Sequence, residues 1–129
     1  MTLTAKQLLT LADSGTIGRI GSQDGFTPRG SLRIGRLFAA LTPECIRIQK
    51  VRNAAFTDDN SVPVTGSPGS RIAKTAIHQD AIEESLAEML AEQIELEISP
   101  LTLDDLKGGK LTPADVTALG TLLIEKAQP

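Results

Sequence analysis

Ile34, Leu37, Leu41, Cys45, Ile48, Val51 and Ala55 recur every three or four positions, the longest regular signal in the chain. That spacing commits the middle of the sequence to an amphipathic helix. Pro43 interrupts it; because Thr42 can cap and proline suits a first turn, the segment reads as one kinked helix or two helices nearly end to end. Ile46 to Val51 could also be a strand, but the longer helical register outweighs that reading. A second rod follows, with Ile72, Ala76, Ile82, Leu86, Met89, Leu90 and Ile94 inward and Glu84, Glu88 and Glu92 outward; Glu83 is a misfit on the apolar side and Ser70 serves as cap. Between the rods, residues 57–70 are turn formers with almost no core-forming residues, which predicts a flexible loop. Two rods and a loop make an antiparallel helical hairpin.

Shorter elements flank it. Thr4-Ala5-Lys6-Gln7 has the form of a capping box and opens a helix from about Ala5 to Asp13 that stops before Gly15. Thr16 to Phe26 contains the pair Asp24-Gly25, read as a tight turn between two short strands. Ile94, Leu96 and Ile98 alternate with Glu95 and Glu97, an extended segment for which that Gly-rich hairpin is the expected strand partner. Thr112-Pro113-Ala114-Asp115 opens a closing helix that buries Val116, Leu119, Leu122 and Leu123. The fold expected is mainly α: an antiparallel helical hairpin with short N- and C-terminal helices and room for a small β element, an α+β variant. With 129 residues, 1–129 reads as a single domain.

Composition narrows the function classes. Phe26, Phe38 and Phe56 are the only aromatics, so the core is aliphatic and base stacking is a poor prospect. Cys45 is the only cysteine, which excludes an intrachain disulfide framework and suits a reducing compartment. Met1-Thr2-Leu3-Thr4 lacks the basic start and apolar run of a signal peptide, and no stretch approaches a membrane span, so a soluble chain is expected.

Catalytic signals are weak. His78 and Cys45 stand alone in their kinds, so a metal site would lack ligands and a Cys/His pair would have to converge from separate helices. Asp58-Asp59, Glu83-Glu84 and Asp104-Asp105 are sequence neighbours that point different ways on a helix. Glu88, Glu92 and Glu95 lack a calcium-loop pattern and read as exposed charge. Gly66 to Arg71 precedes a helix, where free amides can hold a phosphate, but the Lys-Ser/Thr ending of a nucleotide loop is absent. Gly18-Arg19-Ile20-Gly21 is no dinucleotide fingerprint, having no strand before it. The expected protein is not an enzyme and takes no cofactor and no metal.

Charge is more informative. The net value of −3 hides ten Lys/Arg against five Asp/Glu in residues 1–75 and three against eleven in residues 76–129. The halves could neutralise one another within the monomer, attract the same halves in other copies, or leave a basic face for an acidic partner. On a continuous helix over 29–50, Arg29, Arg33, Arg36 and Arg47 fall within about 60° of one another, with Lys50 nearby. That partner-binding ridge could grip phosphates, but charge pairing with the Glu-rich helix of this or another copy is the preferred reading.

Ile94-Glu95-Leu96-Glu97-Ile98-Ser99-Pro100-Leu101-Thr102-Leu103-Asp104-Asp105-Leu106, followed by Leu111-Thr112-Pro113-Ala114-Asp115-Val116-Thr117-Ala118-Leu119, resembles the ending of small proteins of unassigned function encoded by tailed bacteriophages. The order of elements before it is also similar, and the resemblance is strongest over 84–124. It implies a phage accessory protein, virion-associated or assembly-related, found in the virion or host cytoplasm. Such a protein would act by binding a phage or host protein and would be able to form homo-oligomers. Nucleic-acid or nucleotide binding, as in an inhibitor of a host process, is the alternative.

Overall fold

Thr4 opens the first helix as its sequence predicts: its side chain accepts from the Gln7 N–H while the Gln7 side chain accepts from the Thr4 N–H. The computed structural model describes residues 1–125. Strand β1 (Thr2–Thr4) leads directly into α1 (Ala5–Ser14), which ends at Gly15 in the left-handed region that glycine tolerates best. Helix α2 (Thr16–Gly21) follows at once, and then α3 (Pro28–Ala54), capped by Thr27. Strands β2 (Ser61–Pro63) and β3 (Arg71–Ala73) precede α4 (Ala76–Leu90). Strands β4 (Gln93–Glu95) and β5 (Leu101–Thr102), helix α5 (Pro113–Leu119), a 3₁₀ turn over Gly120–Leu122 and β6 (Leu123–Ile124) complete the described chain.

The fold is α-rich, with three two-stranded sheets among the described residues. β1 and β4 pair antiparallel with Leu3 opposite Ile94; β2 and β3 form an antiparallel hairpin; β5 and β6 pair in parallel, joined through α5. α1 is the hub, contacting α3, α5, α2 and α4. Its Leu8 and Leu11 are fully buried and Leu9 and Ala12 partly so, which gives it more than one apolar face. Ile34, Leu37, Leu41, Cys45 and Ile48 of α3 meet it from one side, and Leu101, Leu106, Leu119 and Leu122 complete the core.

Several expectations are corrected. The two long helices do not form the expected hairpin: α3 packs on α1 and α2, while α4 leans on α1 and β3. The apolar stripe of α3 is long enough to accommodate two other helices, so its partner is chosen by tertiary fit rather than by adjacency. Within residues 57–70, Ser61–Pro63 is extended and pairs with β3, and the Arg71 guanidinium donates to Ser61 Oγ (2.8 Å), the Ser61 carbonyl (3.0 Å) and Asp58 (2.9 Å). Ile72 lies in that hairpin, exposed, and Thr75 rather than Ser70 caps α4. The stretch Thr16–Gly21 is helical, because packing of α2 against α1, α3 and α5 buries Thr16 and Ile20, so β1 becomes the partner of the extended segment. Pro43 does not divide α3. It sits at an exposed position, and the carbonyl of exposed Ala39, left without a helix donor, can be solvated there.

Candidate functional site

Because α3 is one helix of 27 residues, the basic ridge exists as a geometric feature. From Arg29 to Lys50 it runs about 31 Å at the standard helical rise. Its members differ in what they do. Arg33 turns inward: its Nε lies 3.3 Å from the buried Asp105 carboxylate, and a second nitrogen donates to the Pro100 carbonyl at 3.5 Å. Arg47 pairs with Glu44 one turn back at 2.6 Å while staying 68% exposed. Arg29, Arg36 and Lys50 take part in no ion pair among the described residues. Interleaved with them are exposed apolar side chains: Leu32, Ala39, Pro43, Ile46 and, at the C-terminal edge, Val51. Leu32 is 55% and Ile46 47% exposed. The outer face of α3 is therefore a mixed basic and apolar strip, whose opposite side anchors the core.

One flank opens into a cleft of about 240 Å³ between Arg33, Arg36 and Leu37 on α3 and Glu97, Ile98 and Ser99 beyond β4. Glu97 offsets part of the positive charge, so the cleft is not an anion pocket. A wider cleft of about 450 Å³ joins Arg52, Asn53 and Phe56 to Gly69, Ser70 and Arg71, the stretch considered for phosphate. Both of its arginines are engaged, Arg52 with Asp13 at 2.6 Å and Arg71 as described above. It also lies beside the C-terminal end of α3, where the helix dipole repels anions.

Two carboxylates missed by sequence reasoning hold the acidic half to the basic half. Asp115, almost fully buried on α5, accepts from Thr16 Oγ1 at 3.0 Å and from the Thr112 N–H at 3.2 Å, and forms an ion pair with Arg19. Burial alone would raise this carboxyl, but the Thr112 N–H, the Arg19 guanidinium and the Thr16 and Thr112 hydroxyls hold it below its ordinary value. Asp105 accepts from the Thr102 N–H at 2.9 Å and faces Arg33. Both aspartates close a Thr-x-x-Asp turn, Thr102 to Asp105 and Thr112 to Asp115. The repeated pattern was the available signal. At the second site the pattern also marks a helix start.

Cys45 and His78 are held apart in function. The Cys45 thiol is buried, donates to the Leu8 carbonyl at 3.5 Å and is pushed up to about 11, chiefly by burial and then by the Glu44 charge. A thiol so disposed is protonated at neutral pH and a poor nucleophile. His78 Nδ1 lies 2.7 Å from the Thr75 hydroxyl at the start of α4. Among the described residues no three His, Cys, Asp or Glu side chains gather as a metal-holding group, and no helix is long and apolar enough to cross a membrane. No protein-family model matches the chain, and comparison with curated proteins and with solved structures finds no match.

Proposed function

We propose that this chain is a non-catalytic binding protein, an accessory component of a tailed phage that is virion-associated or assembly-related, and that it engages protein through the outer face of α3. The phage setting rests on the sequence pattern given above. The docking surface rests on one observation: among the described residues, Arg29, Arg36 and Lys50 stand without ion-pair partners beside exposed Leu32 and Ile46 on the longest helix. Apolar side chains between cations suit a protein partner, whose own apolar residues they can cover, better than a phosphate backbone, which gives them nothing to bury. The buried, protonated Cys45 thiol and the engaged arginines of the wider cleft support a role without covalent chemistry.

Immobilised chain, exposed to a lysate of phage-infected cells, is expected to retain a defined protein, copies of itself included. The double variant Arg36→Glu/Lys50→Glu should lose it with an unchanged melting temperature, because both sites are exposed. Undiminished capture by that variant overturns the assignment of the face. Nucleic-acid binding, the rival reading, requires a salt-sensitive gel shift that the same double variant abolishes.

A further inference from the structure

The acidic helix is as unbalanced as the basic one. Between Ala76 and Leu90, α4 contains Asp80, Glu83, Glu84 and Glu88 and no Lys or Arg. Asp80, Glu84 and Glu88 follow one another at four-residue spacing, an arrangement in which like charges on one face repel. Glu88 also lies near the C-terminal end, where the helix dipole disfavours an anion. None of these carboxylates joins an ion pair among the described residues. All are exposed, and they share the outer face of α4 with Ala81, Ala87 and Ile77, which is 81% exposed.

On α3 the balance is opposite. Arg29, Arg33, Arg36, Arg47, Lys50 and Arg52 face a single acid, Glu44, within Pro28–Ala54. Fold and charge are thus at odds inside one chain: the two helices that would neutralise each other pack elsewhere and turn their charged faces to solvent. A second molecule supplies to each face what the monomer withholds.

We propose that the outer face of α3 receives the outer face of α4 from a second copy of this chain. The proposal rests on the reading of α3 as a docking surface and names its occupant. Arg36, Arg47 and Lys50 would meet Asp80, Glu84 and Glu88 of the other copy, with Ile46 and Leu32 covered from one side and Ile77 from the other. Alanines along α4 let the two helices approach closely. A contact between unlike faces is head-to-tail, so repetition gives a closed ring or an open chain. Exposed ion pairs contribute little each, so the association should be weak and strongly reduced by salt.

Light scattering and sedimentation equilibrium on the full chain test this. The mass should rise with concentration up to about 0.3 mM in low salt and fall back to the monomer as ionic strength approaches about 0.5 M. Reversing either face alone, Arg36→Glu/Lys50→Glu on α3 or Glu84→Lys/Glu88→Lys on α4, should weaken association at least about ten-fold. Mixing the two reversed chains should restore it, since each then offers a complement to both faces of the other. If reversal disturbs folding, the neutral pair Glu84→Gln/Glu88→Gln should weaken association in the same direction by a smaller factor, about three-fold, without new repulsion. A wild-type chain that stays monomeric at low salt, or a mixture that fails to recover, overturns the self-pairing. Loss of capture by the α3 variant would still uphold the docking face in that case, so the two readings fail separately.

Discussion

Helix α3 hides Gly30, Ile34, Leu37, Phe38, Leu41, Cys45 and Ile48, whereas α4, more than half as long, hides Ile82 alone among the described residues and half-covers Leu86, Met89 and Leu90. Both are amphipathic, and both present charge to solvent. They differ in their neighbours: α3 packs against both α1 and α2 and forms one wall of the core, while α4 rests on α1 and the small β2–β3 hairpin. An apolar stripe records which side of a helix faces inward. How deeply that side is buried depends on how many elements close over it, which is decided elsewhere in the chain.

The most severe way to break this contrast is to remove matched side chains. Leu41 is fully buried at the centre of α3, and Leu41→Ala should destabilise the chain by about 3–4 kcal/mol through lost burial and the cavity left behind. Leu86→Ala on α4 should remove only about 1–2 kcal/mol, since its side chain is only partly buried and leaves no enclosed cavity. Urea denaturation of the two variants measures both values. Equal losses would mean that α4 belongs to the core as fully as α3.

Next in size is the bond between the halves. Asp115→Ala leaves the Thr112 N–H and Thr16 hydroxyl without their acceptor and should cost about 2–4 kcal/mol. Arg19→Ala should cost about 1–2 kcal/mol, because Arg19 is itself half exposed and Asp115 keeps its other donors. The sign with pH follows from the depressed Asp115 carboxyl. Its contribution is complete above its ordinary value of 3.8 and disappears as pH falls through its lower folded value. Acid titration of stability should therefore be shallower below about pH 4 in Asp115→Asn than in the wild type. An identical acid slope in the two proteins would remove Asp115 from that role.

What the sequence disclosed and what it concealed divide along a physical line. The capping box at Thr4 and the helix start at Thr112-Pro113 were legible because their chemistry is complete within four residues. The continuous register of Ile34 to Ile48 was legible for the same local reason. The ridge on α3 followed from spacing alone, although spacing could not tell that Arg33 would turn to Asp105 while Arg36 would not. Burial of Asp105 and Asp115 was concealed because each depends on an arginine more than seventy residues away in one case and more than ninety in the other. The α2 segment was misread because Gly-x-x-Gly with isoleucines favours strand and turn locally, and tertiary burial of Thr16 and Ile20 overrode that preference. The hairpin of long helices failed on the same ground: periodicity names faces and leaves their partners open.

The finest distinction lies within α3, between its inner and outer glycines. A Cβ added at Gly30 would run into the Asp105 carbonyl, so the close approach of α3 to the Thr102 turn requires the absence of a side chain there. Gly30→Ala should cost about 1–3 kcal/mol and loosen the Arg33–Asp105 pair with it. Gly35 is one turn and a half further on, exposed, with nothing within 4 Å of an added Cβ. There the methyl meets only solvent, and the helix gains from the smaller backbone freedom of alanine in the unfolded chain. Gly35→Ala should therefore raise stability by about 0.5–1 kcal/mol. Thermal and urea unfolding of both variants reads the opposite signs directly. A loss at Gly35 as large as that at Gly30 would mean that the outer face of α3 is already covered in the protein as it exists in solution.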